Sequence, residues 1–220
     1  MPEPLNSPGN TFLCSISPDG NTALVGGTYE NHDQNDNQYI SRRTETGWSK
    51  PEQIHVENYY NLDIYNSFQM LSDGKTMVMS VERREGYGGK DIYVSFKKSD
   101  GKWTAPKNIG PDINTAGDDI TPFVAADGKT MYFSTDGQSG YGSHDVFISK
   151  RLDHTWKNWS EPKNIGPQVN TEGWDAFYTV EASGEFAYFT SYHNSLGEGD
   201  IFRIRLDESQ KPDPVAIVKG

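Results

Sequence analysis

The sequence predicts an all-β protein assembled from a repeated unit, and two observations support this. First, the chain of 220 residues repeats a short turn signal at nearly constant spacing. The Asp-Gly pairs at 19–20, 73–74 and 127–128, followed by Ser-Gly at 183–184, are separated by 54, 54 and 56 residues. Second, each turn leads into a run rich in β-branched and aromatic residues, which is typical of strands. The period of about 54 residues therefore predicts a repeat architecture, whatever the role of any single residue.

Each unit contains signals for four short strands. An Asp-Gly pair favours a tight hairpin, because glycine adopts the positive φ that a two-residue turn requires. Gly-rich loops at 86–91 and 140–145 connect a second pair of strands. The Trp-x-x-Pro stretches at 103–106 and 159–162 predict a fourth strand, and proline restricts such a strand to the edge of its sheet. We expect the tryptophans of both stretches to be buried between neighbouring units, because aromatic side chains bury large apolar areas.

Four antiparallel strands repeated about a centre describe a β-propeller with four-stranded blades. The predicted repeat units cover about 11–66, 67–122, 123–178 and 179–220, within a single domain. Two forms remain open. One is a closed four-bladed ring in which residues 214–218 supply the last outer strand, and the other is an arc of a larger ring excised from a longer chain.

The repeats resemble a known family. Segments 17–27, 72–80 and 126–150 look like the TolB-type propeller repeat, a WD-like repeat with a Pro-Asp dipeptide. The linkers 108–123 and 164–179 are similar to those of Gram-negative envelope proteins that join the propeller to a peptidoglycan-binding OmpA-like domain. This resemblance implies a periplasmic, outer-membrane-associated protein. It also implies a non-catalytic scaffold that binds an envelope protein or a peptidoglycan-like ligand.

Composition narrows the range of partners. The 20 Lys and Arg against 31 Asp and Glu give a net charge of −11. An acidic chain of this kind is not expected to bind nucleic acid or an anionic membrane surface. The sequence has no apolar run of about 18 residues, so we expect no direct insertion into a membrane. Cys14 is the only cysteine, which excludes an intrachain disulfide.

Motifs for catalysis and metal binding are missing from the sequence. There is no Gly-x-Ser-x-Gly and no His-Glu-x-x-His, so we expect neither an enzyme nor a catalytic metal. One stretch, 32–38, places Asp33, Asn35 and Asn37 at alternating positions that could supply oxygen ligands to calcium. It lacks the central glycine and the distant glutamate of an EF-hand loop. The expectation is therefore no cofactor, with calcium at this stretch as the alternative.

The predicted binding site lies where the inner strands begin. The candidate residues at these positions are Tyr65, Asp118, Asp119, Trp174 and Asp175. Inner strands line the channel of a propeller, so their first residues gather around one mouth. Residue types differ between units at these positions, and such differences can give specificity. An aromatic ring beside carboxylates suits a peptide or peptidoglycan-like ligand.

Two alternatives to this interpretation stay open. The aspartates at these positions could only hold turns. Alternatively, the protein could be a glycan-active enzyme in which the channel carboxylates Asp119 and Asp175 act as acid and nucleophile. Against the second alternative, the two aspartates occupy equivalent repeat positions, which favours a shared structural task.

Overall fold

A computed structural model of the chain describes residues 3–7, 9, 11–17, 19–27 and 38–215. These residues fold into four antiparallel sheets around a central channel, which is a four-bladed β-propeller. In this part of the chain the one helical element is the short 3-10 turn η1 (Glu208–Gln210). No helix in the described ranges is long and apolar enough to span a bilayer. The predicted all-β propeller is confirmed.

The strands of each sheet follow one another in the chain. The first sheet contains β1 (Thr11–Ile16), β2 (Thr22–Gly27), β3 (Gln38–Thr44), β4 (Gly47–Trp48) and β5 (Glu52–Gln53). The second contains β6 (Ser67–Met70), β7 (Thr76–Glu82), β8 (Lys90–Phe96) and β9 (Lys107–Asn108). The third contains β10 (Asp119–Val124), β11 (Thr130–Thr135), β12 (Asp145–Lys150) and β13 (Lys163–Asn164). The fourth contains β14 (Asp175–Val180), β15 (Phe186–Ser191) and β16 (Asp200–Arg205).

The predicted outer strands exist but are short. In the second and third sheets the edge strands are β9 and β13, each of two residues, and both lie outermost. Trp103 and Trp159 precede them and join the neighbouring strand through single bridges to Lys97 and Arg151. Proline between the tryptophan and the edge strand removes an amide donor, so a longer ladder cannot form there.

The recurring aspartates at the hairpins hold their turns. Asp73 Oδ1 accepts hydrogen bonds from the amides of Lys75 and Thr76, both at 2.8 Å. Asp127 Oδ1 accepts the equivalent pair in the third sheet. The glycine that follows Asp73, Gly74, has a φ of +62°, which a residue with a side chain rarely adopts. The turn signal therefore recurs because each blade needs the same turn.

Three apolar clusters join consecutive sheets. Trp103 is buried with Leu24 and Phe68 between the first and second sheets. Trp159 is buried with Val94 and Phe133 between the second and third sheets. The predicted position of both tryptophans between neighbouring units is confirmed. Aromatic and β-branched side chains of the strands thus form the core at the joints between blades.

The fourth sheet is described only in part. Its described residues form three strands, and most of the predicted outer strand, residues 216–218, lies outside the described residues. The preceding segment runs back over the third sheet, where Gln210 Nε2 donates to the carbonyl of Ile165 at 2.7 Å. Lys150 Nζ lies 2.9 Å from Asp213 Oδ1 on the same path. The third and fourth sheets also begin at Asp119 and Asp175, four residues before the predicted repeat boundaries.

Candidate functional site

The innermost strands of all four sheets enclose a cavity of about 1070 Å³ in the central channel. This volume is at the upper end of the range typical of small-molecule sites. Most of its lining is aromatic or aliphatic, and includes Phe12, Ile64, Tyr65 and Phe177. Eight polar side chains, among them that of Asp63, also line it. The cavity therefore combines apolar faces with hydrogen-bonding groups, as ligand sites do.

The linker between the first and second sheets forms one wall of this cavity, and Asn61 gives the linker its shape. Asn61 Oδ1 accepts a hydrogen bond from the amide of Glu82 at 2.8 Å. Asn61 Nδ2 donates to the carbonyls of Asp63 and Tyr65 at 2.7 and 3.0 Å. Asn61 Oδ1 also accepts a hydrogen bond from the amide of Asp63 at 3.3 Å. A buried side-chain amide with four hydrogen bonds to the backbone holds this loop in one conformation. As a result Ile64 and Tyr65 project into solvent at the cavity.

Asp63 is the carboxylate that lines the cavity. Its Oδ1 accepts the amide of Tyr65 at 2.8 Å, and its Oδ2 lies 2.7 Å from Lys90 Nζ. Partial burial acts to raise the pKa of Asp63, but the hydrogen bonds from Lys90 and Tyr65 and the charge of Lys90 outweigh it and lower the pKa below its ordinary value. Asp63 is therefore ionised at neutral pH.

Lys90 joins two carboxylates. Its Nζ lies 2.7 Å from Asp63 Oδ2 and 3.5 Å from Asp118 Oδ2. Partial burial acts to lower the pKa of Lys90, but the two carboxylates raise it above its ordinary value. The backbone amide of Lys90 also donates to Asp118 Oδ1 at 2.7 Å, which orients the second carboxylate. Two carboxylates are thus held on one ammonium group, and one of them, that of Asp63, lines the cavity.

Two residues on the cavity wall have an unusual backbone conformation. Thr121 and Phe177 occupy equivalent positions at bulges in β10 and β14, with φ values of 50° and 55°. The amide of Phe177 donates to Thr121 Oγ1 at 3.2 Å and so connects the two inner strands. A positive φ is unfavourable for a β-branched residue such as threonine. Strain of this kind is common at ligand sites, where surrounding contacts impose it.

The structure separates the predicted site residues into two groups. Tyr65 lines the cavity, and Asp118 lies beside it on Lys90. Trp174 is half-buried in an aromatic cluster, with ring centroids 5.7 Å from Phe177 and 5.4 Å from Tyr192. Of these partners, Phe177 faces the cavity directly. These three predicted residues therefore lie at or next to the cavity.

Asp119 and Asp175 belong to the second group and do not line the cavity. Both carboxyl groups are fully buried, and each accepts the amide of the threonine four residues earlier at 2.6 Å. These bonds hold the turns that lead from Thr115 and Thr171 into the inner strands. Burial raises the pKa of Asp119 to about 7, although hydrogen bonds from Thr135 and Thr115 oppose the shift. Neither carboxylate is placed to reach a ligand in the channel.

Several residues of the site did not stand out in the sequence. Asp63 and Lys90 come from different units, and only the folded chain brings them together. Phe177 aligns with a threonine in the preceding unit, so its position in the period does not mark it. One signal was present: the linker around Asn61 has neither the glycines nor the proline of the equivalent linkers 110–117 and 166–173. This difference indicates that the first linker has a different role from the two equivalent linkers.

No metal site emerges from the described residues. Within them, no three His, Cys, Asp or Glu side chains come together as metal ligands would. The stretch predicted to bind calcium, 32–38, lies outside the described residues except for Gln38. Calcium binding there stays a prediction.

No protein-family model matches the sequence, and no curated protein is significantly similar to it. Solved structures do share its fold. Penicillium chrysogenum alpha-L-arabinanase, in complex with arabinobiose, has a TM-score of 0.54 at 13% identity, covering 96% of this chain and 66% of its own. The GH93 alpha-L-arabinofuranosidase of Fusarium graminearum with arabinobiose has a TM-score of 0.52 at 14% identity, with the same two coverages. A GH43_12 protein retrieved from capybara gut metagenome has a TM-score of 0.55 at 16% identity, covering 88% of this chain and 39% of its own.

At these identities the likeness establishes the β-propeller fold. The chain spans 66% of the length of the first two structures. The comparison corrects two predictions. The expected non-catalytic envelope scaffold and the expected absence of enzymatic activity are contradicted, because two of the structures that share this fold are an alpha-L-arabinanase and an alpha-L-arabinofuranosidase. Of the TolB-type assignment, only the propeller architecture is supported.

Proposed function

We propose that this propeller is a glycan-active enzyme that binds an oligosaccharide in its central channel. The observation that carries the proposal is the cavity of about 1070 Å³, where exposed aromatic rings lie beside an ionised carboxylate. Tyr65 and Phe177 offer apolar faces to a sugar ring, since aromatic side chains bind through large rigid surfaces. Asp63 supplies a strong acceptor for sugar hydroxyls.

The chemistry follows from the two carboxylates on Lys90. Glycoside hydrolysis generally uses one carboxyl group as acid and a second as nucleophile or base. Asp63 is ionised and suits the second role, and Asp118 lies on the other side of the same ammonium. Lys90 holds both groups in place. The buried pair Asp119 and Asp175 takes no part in this scheme.

The proposed enzyme has two candidate classes of glycan substrate. Arabino-oligosaccharides come first, because two of the proteins that share the fold were solved with arabinobiose. A peptidoglycan-like glycan comes second, because the linkers resemble those of peptidoglycan-associated propellers. The predicted periplasmic, outer-membrane-associated location would fit the second class, and cell fractionation tests it.

Asp63→Asn should abolish most of the activity and keep the fold. Asparagine preserves the shape of the side chain but cannot act as a nucleophile or base, so sugar release from the active substrate should fall by about 100-fold or more. Reducing-sugar release and product chromatography measure this effect, and calorimetry measures oligosaccharide binding. Glu45→Gln removes an exposed carboxylate outside the cavity and serves as the matched control. No release from either substrate class by the unmodified protein, or equal release by Asp63→Asn, would contradict the proposal.

A further inference from the structure

The described lining of the central cavity carries a single charge. Among its 22 residues there is no Lys, Arg, His or Glu, and Asp63 is the one acidic residue. Asp63 is ionised at neutral pH, because its hydrogen bonds and the charge of Lys90 lower its pKa. The segment 28–37, which lies outside the described residues, contains three acidic residues and no Lys or Arg. The described lining therefore has a negative charge.

Lys90, which lies against this lining, is not free to receive an anion. Its Nζ lies 2.7 Å from Asp63 Oδ2 and 3.5 Å from Asp118 Oδ2, and its side chain is 13% exposed. One ammonium facing two carboxylates leaves the three side chains with a net charge of −1. An anionic ligand would find no unpaired cation in this group, and an unpaired charge removed from water is costly.

The other seven polar side chains of the described lining are uncharged. They belong to serine, threonine, asparagine and glutamine residues, whose hydroxyl and amide groups can both donate and accept hydrogen bonds. Sugar hydroxyl groups also do both. Tyr65 and Phe177, which are 70% and 54% exposed, add apolar faces on which a sugar ring can pack. The lining thus complements a sugar that carries no charge.

We propose that the central cavity selects uncharged glycans, and that Asp63 is the residue that excludes glycans bearing carboxylates. The inference rests on the proposed function and decides between its two candidate substrate classes. An arabino-oligosaccharide carries no carboxylate and is accepted. A peptidoglycan-like glycan carries carboxylates on its lactyl groups or stem peptides, and Asp63 repels them. Such selection comes from a charge placed against the wrong ligand as well as from contacts with the right one.

Two probes that differ by a carboxylate test the selection. They are arabinotriose and the same trisaccharide with its terminal primary hydroxyl group oxidised. In calorimetry at about 20 mM salt, where charges are weakly screened, the oxidised probe should bind about tenfold or more weakly than arabinotriose. The gap should narrow to about threefold or less at about 1 M salt, because the screening length falls to about 3 Å. The peptidoglycan disaccharide with a free lactyl carboxylate should not bind at concentrations where arabinotriose saturates the protein.

An ester and two variants provide the controls. The methyl ester of the oxidised trisaccharide is larger than the acid but neutral, so its affinity should return close to that of arabinotriose. Asp63→Asn should narrow the gap between the two probes even where it abolishes sugar release, because the repelling charge is gone. Glu45→Gln removes an exposed carboxylate outside the cavity and should leave the gap unchanged. Circular dichroism and thermal melts verify that both variants are folded.

The possible results separate this inference from the proposed activity. Equal or tighter binding of the oxidised probe or of the peptidoglycan disaccharide would overturn the inference, and so would an ester that binds as weakly as the acid. A gap that Asp63→Asn leaves intact would overturn the role of Asp63. A protein that does not bind arabinotriose would overturn the inference and the channel site together. Discrimination between the probes without sugar release would support the inference and contradict the proposed enzyme.

Discussion

Replacing Trp103 with alanine should lower the free energy of unfolding by about 3–5 kcal/mol, the usual loss for a buried tryptophan. Its side chain is buried between the first and second sheets, and its backbone bridges the two units at Val56 and Lys97. The amide of Trp103 donates to the carbonyl of His55 at 3.0 Å, which fixes the ring in the joint. Alanine would leave a cavity that the surrounding sheets cannot fill. Urea unfolding followed by circular dichroism measures the loss.

Trp48 provides a matched control within the same protein. It is the tryptophan of the first unit, but it is half-buried, and Arg43 covers its ring at 5.3 Å. Trp48→Ala should therefore cost clearly less than Trp103→Ala. Trp159→Ala should resemble Trp103→Ala, and it also loses the hydrogen bond from Nε1 to the carbonyl of Trp156 at 3.2 Å. A loss below about 1 kcal/mol for both buried tryptophans would contradict the packing of the joints.

Asp119→Asn should remove a large part of the pH dependence of stability between about pH 4 and pH 7. Burial raises the pKa of Asp119 from 3.8 to about 7 in the folded protein. In this window the unfolded chain has lost the proton of Asp119 while the folded chain retains it. Rising pH therefore favours the unfolded state, and the folded protein loses up to about 1.4 kcal/mol per pH unit from this group. Above about pH 7 both states are ionised and the loss is complete.

The asparagine variant stays neutral at every pH, so this contribution disappears from its stability curve. Its amide oxygen can still accept the bond from the amide of Thr115, which keeps the turn. Urea midpoints measured at steps from pH 4 to pH 8 for both proteins give the comparison. Parallel curves for wild type and variant would show that Asp119 does not carry a raised pKa. Glu45→Gln, at an exposed carboxylate, controls for the loss of one acidic group.

The regular parts of the fold could be predicted because their signals are local. The turn at Asp73 and Gly74 depends on residues within three positions, and the same turn recurs once per unit. The Trp-x-x-Pro stretches recur with the same period, and they predicted both the outer strands and the tryptophans buried between sheets. Where the period breaks, prediction was weaker: the period gives no position for the segment around Gln210, which crosses the third sheet.

The site was predicted only in part, for a physical reason. The starts of the inner strands do gather at the channel, so Tyr65 lies at the cavity as its position in the repeat suggested. The spacing of the repeats does not predict which side chains are buried. Asp119 and Asp175 accept hydrogen bonds from the amides of Thr115 and Thr171 and do not face the channel. The function predicted from the repeat resemblance was also wrong, because a repeat motif encodes packing and turns rather than chemistry.

By itself, the sequence determined the all-β architecture, the number of units and the residues that shape each turn, since these depend on interactions between near neighbours. Only the tertiary structure decided which groups meet across units. Asp63 and Asp118 are 55 residues apart in the chain, and they lie on the same ammonium of Lys90 because three different segments end at one rim of the channel. Similarly, Tyr132 and Tyr188 occupy the same position in the repeat, and only the placement of the sheets buries one and exposes the other.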